Sequence, residues 1–240
     1  MKLNIEPLQP DSFYHIYNRG INGENIFKQE RNYSYFLKKY ALYIEPVAET
    51  YAYCLLKNHF HLLIRTRSEG EILKAKVVEK EAFASSEGFL KNAETFLKKP
   101  EEKPVSWHLS NSFASLFKSY AQAINIAHKR TGGLFEEPFR RILVDNDAYF
   151  TELIYYIHHN SQRHGFVKDF RDYLHSSYHS HLHTALTKLK REEVLQWFGN
   201  RNEFEKFHLG NQILTNSFLL PNHCSTSSLF NFVKAVCKCE

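Results

Sequence analysis

The chain has 240 residues, enough to bury a full core as one domain plus an appendage, and its 14 Tyr and 20 Phe exclude a disordered or low-complexity polymer. A net charge of +5 and a pI near 8.9 suit a phosphate-rich partner without demanding one. Cys54, Cys224, Cys237 and Cys239 are too few and too uneven for a disulfide framework, and nothing with zinc-finger spacing matches Cys237 and Cys239, so free thiols are expected. No run approaches membrane-spanning length, and the N-terminus lacks an apolar signal core. The expectation is a protein of the reducing cytoplasm with no membrane partner.

In chain order, Phe13 to Gly20 reads as a strand followed by a turn-rich loop. Glu30 to Ile44 repeats bulky residues at helical spacing (Tyr33, Phe36, Leu37, Tyr40) and stops before Pro46. Tyr51 to Arg65 then holds two β-rich runs broken at Lys57-Asn58, the second carrying His59-Phe60-His61. Side chains alternate along a strand, so the two histidines share one face and Phe60 and Leu62 the other. Two imidazoles about 7 Å apart can reach one divalent cation, and they can equally be two polar positions on a half-exposed strand.

Residues 68–106 are rich in Glu and Lys, are interrupted by Gly70 and Gly88, and close on Pro100 and Pro104. This reads as a mobile, charged excursion rather than core. The helical pattern returns from Leu109 through Phe113, Leu116, Phe117, Tyr120, Ile124 and Ala127, with Asn111 or Ser112 as cap and Thr131-Gly132-Gly133 as stop. Arg140 to Val144 reads as a strand, and Asp145-Asn146-Asp147 can cap a helix running to about Arg163. The fold expected is α+β: a central antiparallel sheet with helices packed on one side, spanning residues 1–169. Residues 170–240 read as a helical C-terminal extension, with one clear helix from Lys190 to Phe198 and shorter pieces around Phe204–Leu214 and Leu229–Val236.

A histidine pair that handles phosphate needs a nucleophile. Tyr120 lies on a predicted helix just ahead of His128, Lys129 and Arg130, with Arg140 and Arg141 beyond, and a phenolate beside positive charge can attack a phosphodiester. The same residue shares a helical stripe with Leu116 and Phe117, which is the pattern of a core position.

His59-Phe60-His61 at the end of Tyr53-Cys54-Leu55-Leu56-Lys57-Asn58 resembles the His–hydrophobic–His signature of the single-tyrosine HUH transposases, and most of all the REP-associated tyrosine transposases. Further segments agree in order: Phe13 to Gly20; Tyr120 to Asn125; Arg130 to Phe135 with Phe139-Arg140-Arg141; and Tyr156-Ile157-His158-His159-Asn160 with His164-Gly165. Ser176-Ser177-Tyr178 and Glu193 to Gly199 are similar too, so the resemblance spans most of the chain outside 68–106 and the last ~25 residues.

The resemblance implies an HUH-endonuclease-like sandwich in which His59 and His61 are metal ligands for Mg²⁺ or Mn²⁺ and Tyr120 is the nucleophile. It implies cleavage of single-stranded or hairpin DNA through a 5′-phosphotyrosine, followed by strand transfer. Arg19, Lys129, Arg130, Arg140 and Arg141 become candidate DNA-phosphate contacts. The family often places a Gln or Asn one helical turn after the tyrosine as a further ligand. Here that position is Ile124, and Asn125, ~100° further round the helix, is the candidate, with water or Gln122 as rivals.

Ser161 stands where the family commonly has Pro. His158 and His159 are expected to pack or cap their helix, and His175, His179, His181 and His183 to serve the surface or DNA phosphates. The resemblance leaves open whether the tyrosine serves its own subunit's ion or that of a second copy in a homodimer. The rival readings are a hairpin-DNA-binding protein of this fold that does not cleave, and a hydrolase using activated water.

Overall fold

The computed structural model describes residues 6–84 and 103–210. Its centre is a four-stranded antiparallel sheet in the order β2-β3-β1-β4, formed by β1 (Phe13–Arg19), β2 (Ala48–Leu55), β3 (His59–Thr66) and β4 (Arg140–Val144). The register pairs Tyr17 with His61 and Arg19 with His59 across β1 and β3, and Tyr17 with Arg140 across β1 and β4. Residues paired across antiparallel strands point the same way, so His59, His61, Tyr17, Arg19 and Arg140 share a face.

The other face carries Ile16, Phe60, Leu62 and Ile64, all buried. On it lie α1 (Glu30–Tyr43) and α3 (Val105–Ala127), which contribute Phe36, Phe113, Leu116, Phe117 and Tyr120 to one hydrophobic core. Fully burying a side chain such as Phe60 contributes roughly 2–3 kcal/mol, which explains why the strand's even positions are committed to this side. Helix α4 (Asp147–Arg163) covers the histidine face instead. The sheet is therefore covered on both sides, where the sequence pattern suggested helices on one. Strand alternation announces two faces, but an amphipathic helix does not announce which of them it will cover.

Other boundaries moved as well. Glu69–Ala84 forms a helix, α2, whose Ile72 is fully buried, so the charged stretch begins as packed structure rather than excursion. Helix α3 starts at Val105 behind Pro104, more than a turn before the expected caps Asn111 and Ser112, because Val105, His108 and Leu109 already bury a face. At α4, Asn146 does cap: its side-chain oxygen accepts a hydrogen bond from the Tyr149 amide at 2.8 Å.

Past residue 169 the chain stays with the sheet. The Leu55 amide donates to the His175 carbonyl, the Ser177 amide to the Tyr53 carbonyl and the Lys190 amide to the Thr50 carbonyl, each at 2.9 Å. Cys54 and Ser176, and Thr50 and Leu189, form isolated β-bridges, so the tail strap runs along the outer edge of β2. Two short helices, α5 (Tyr178–Leu182) and α6 (Arg191–Trp197), belong to this strap. The compact unit extends to Arg201, and a second unit beginning at Asn202 holds most of α7 (Arg201–Gly210). The expected piece at Leu229–Val236, and Cys224, Cys237 and Cys239, lie outside the described residues. Among the described residues no helix is long and apolar enough to cross a membrane.

Candidate active site

The β2–β3 turn delivers His59 and His61 to one end of the sheet. Gly20 closes on this turn, its amide donating to the Asn58 carbonyl at 2.8 Å. A Cβ at Gly20 would lie 2.0 Å from the Glu24 carbonyl oxygen, so only glycine lets the chain pass there. His59 Nδ1 lies 2.8 Å from Asn58 Oδ1, and His61 Nδ1 lies 2.9 Å from His15 Nε2. Asn58 Oδ1 can only accept, so His59 carries its proton on Nδ1 and its Nε2 is a lone-pair donor.

Burial, then the neighbouring charges of His164 and Arg19, lowers the His59 imidazole to about 3. Burial also lowers His15 to about 3 and holds His61 well below its ordinary range, with His15, His59 and His164 adding to the effect at His61. All three rings are therefore neutral at pH 7, the state that ligates a cation.

Helix α4 lays a second set of groups over these rings. The Tyr156 ring stands edge-on to His61, centroids 5.5 Å apart, and edge-on to His15 at 6.1 Å. The Arg163 guanidinium lies 5.3 Å from the Tyr156 ring, and the His164 ring lies 4.7 Å from that of His59. Residues 156, 160 and 164 fall at helical spacing on one stripe, which places Asn160 between the two contacts. Asn160 is fully buried and its Oδ1 accepts no hydrogen bond.

That orphaned oxygen, with two neutral imidazoles whose Nδ1 atoms are both engaged on the protein side, fits a divalent cation held by His59, His61 and Asn160. Among the described residues no group of three or more His, Cys, Asp or Glu is disposed to hold a metal.

Tyr120, the expected nucleophile, is on the wrong side of the sheet. Its ring is fully buried among Phe27, Tyr35, Phe36 and Phe135, at centroid distances from 5.2 to 6.0 Å. Its hydroxyl donates to the Ile26 carbonyl at 2.9 Å, and burial pushes the phenol far above its ordinary range, which opposes a phenolate. The stripe shared with Leu116 and Phe117 did mark a core residue.

Asn125 follows Tyr120 away from the histidines. Its amide nitrogen donates to the Gly132 carbonyl and its oxygen accepts from Arg130, so it shapes the loop after α3 instead of ligating a metal.

The cationic candidates also divide. Arg19 and Arg140 lie on the histidine face, although Arg19 is ion-paired with Glu136 at 2.6 Å. Arg130 pairs with Glu24, and Lys129 is exposed beyond α3. Arg141 points the other way, bonding Ser110 Oγ at 3.1 Å with its guanidinium 4.1 Å from the Phe139 ring. His158 and His159 are buried packing groups, on Ser177 and on the Tyr155 carbonyl. The tail histidines scatter: His175 stacks on Tyr33, His179 meets the Arg171 carbonyl, and His181 is fully buried.

A tyrosine with an Asn one helical turn later, absent at 120 and 124, occurs at Tyr156 and Asn160 within the segment Tyr156 to Gly165.

No protein-family model matches the chain, and no curated protein matches it. Among solved structures the fold is similar to that of a REP-associated tyrosine transposase bound to a REP hairpin. The TM-score is 0.50 and the identity 15%, over 76% of this chain and 85% of that one. At that identity the likeness establishes the fold: a four-stranded antiparallel sheet sandwiched by helices.

Proposed function

We propose that this protein is a metal-dependent single-tyrosine nuclease and strand transferase acting on single-stranded or hairpin DNA, with Tyr156 rather than Tyr120 as nucleophile. The observation that carries this reading is the edge-on approach of Tyr156 to His61, with Asn160 one turn further along the same helix. The hairpin bound by the similar transposase supports the choice of substrate.

His59, His61 and Asn160 would hold Mg²⁺ or Mn²⁺, and a cation there would polarise the scissile phosphate and offset its transition-state charge. The Tyr156 oxygen attacks phosphorus, its proton passing to solvent, while the bond to the 3′-oxygen breaks and that oxygen takes up a proton. The products are a 5′-phosphotyrosine and a free 3′-hydroxyl. Because the phosphodiester energy is kept in the tyrosyl link, a 3′-hydroxyl from another strand can reverse the step. Arg19 and Arg140 lie on the face where the DNA backbone would pass, and Arg163, against the Tyr156 ring, adds positive charge beside the nucleophile.

The test is labelled hairpin DNA incubated with Mn²⁺ and then denatured. A covalent adduct in the wild type and in Tyr120→Phe, absent in Tyr156→Phe, is the expected result. An adduct lost in Tyr120→Phe and kept in Tyr156→Phe overturns the assignment. Fragments without adduct indicate attack by water, and binding without cleavage indicates a recognition module.

A further inference from the structure

We propose that His15 is a positioning residue for the metal site, accepting a hydrogen bond from His61 Nδ1–H and so presenting His61 Nε2 to the cation. The proposal rests on the reading of His61 as a ligand. His15 is fully buried on β1, diagonal to His61 on the same sheet face, and its Nε2 lies 2.9 Å from His61 Nδ1. The two rings stack at 5.1 Å with 23° between their planes, and the Tyr17 ring packs against both, at 5.0 Å from His15 and 5.7 Å from His61. His61 is thus held in one orientation by packing and in one direction by a hydrogen bond.

Between two neutral imidazole nitrogens at this distance there is one hydrogen. On His61 Nδ1, it leaves His61 Nε2 as a lone pair. On His15 Nε2, it turns His61 Nε2 into an N–H that repels a cation. For His59 the matter is decided by Asn58 Oδ1, which can only accept. For His61 it is decided by His15, which must itself supply the lone pair. The two ligands would therefore be oriented from the protein side by different means, an amide oxygen for one and an imidazole for the other. Loss of such an outer partner typically weakens metal affinity by roughly 10–100-fold.

The experiment is a Mn²⁺ titration of the full chain followed by the spin resonance of the free ion, with thermal melting to show that each variant is folded. His15→Phe keeps a flat ring against Tyr17 but has no acceptor, and its Kd for Mn²⁺ should rise by roughly tenfold or more. His15→Gln keeps an acceptor near the Nε2 position and should stay within about threefold of the wild type. Nitrogen-resolved imidazole NMR of the metal-free wild type should find the His61 proton on Nδ1. A His15→Phe affinity close to wild type, or a His61 proton on Nε2, overturns this proposal and leaves the site reading standing. Failure of the wild type to bind Mn²⁺ overturns the site reading, and this proposal with it.

Discussion

Tyr120 and Tyr156 sit on long helices packed against opposite faces of one sheet, and their surroundings differ in kind. Tyr120 is enclosed by phenyl and phenol rings, and its hydroxyl is spent on the Ile26 carbonyl. Tyr156 meets imidazoles and a guanidinium. The faces are only one residue apart in sequence, since Phe60 points to the first and His59 and His61 to the second. A tyrosine's surroundings in this fold are thus set by the face its helix covers, and proximity in sequence to basic residues is a poor guide to them. Nor is the histidine face polar throughout. Near its far end Phe13, Tyr51 and Phe150 pack edge to face, so α4 is anchored by aromatic contacts at one end and carries its polar groups at the other.

The contrast is broken most directly by exchanging the two phenols. Tyr156→Phe should abolish the covalent DNA adduct, read on a denaturing gel, while leaving the melting temperature close to wild type. The reciprocal effect belongs to Tyr120. Tyr120→Ala should cost about 3–5 kcal/mol in urea unfolding, as deletion of a fully buried ring does. Tyr120→Phe should cost about 1–2 kcal/mol for the Ile26 carbonyl left unpaired, with adduct formation retained.

Ile124→Asn installs the amide that the family spacing would want after Tyr120. Ile124 is buried in the aromatic core, so the substitution should lower stability by roughly 2–4 kcal/mol and leave Mn²⁺ affinity unchanged. A gain in affinity would put the metal site beside Tyr120 instead.

The imidazole side has its own signature in acid. Burial lowers His181, behind α4, to about 4. Unfolded, it titrates near 6.5, so the unfolded chain binds a proton that the folded chain refuses. Its stabilising contribution is complete above that value and is lost as pH falls, by roughly 1.5 kcal/mol at pH 5.5. Urea melts at pH 7.5 and 5.5 should differ less in His181→Leu than in wild type by about that amount. Smallest of all, Asn146→Ala removes the cap of the helix bearing Tyr156 and should cost about 1 kcal/mol by the same measurement.

Much of this was legible in the sequence. Strand alternation placed His59 and His61 together and put Phe60 opposite them, and helical spacing located α1, α3 and α4. What the sequence could not convey was the assignment of helices to faces, since α3 and α4 both show an apolar stripe and both carry a tyrosine. His15 was illegible for a related reason. Its link to His61 joins residues on separate strands, and only the register of β1 against β3 brings them within 2.9 Å. The pairing of the segment after residue 169 along β2 was illegible too, because backbone hydrogen bonds leave no mark in composition.

That pairing has a practical corollary. Expression of residues 1–169 alone would strip β2 of its chaperoning segment and leave the Leu55 amide and the Tyr53 and Thr50 carbonyls seeking partners. A raw, apolar rim of that sort recruits strands from neighbouring molecules, so the shortened polypeptide should polymerise where one ending near Arg201 stays dispersed.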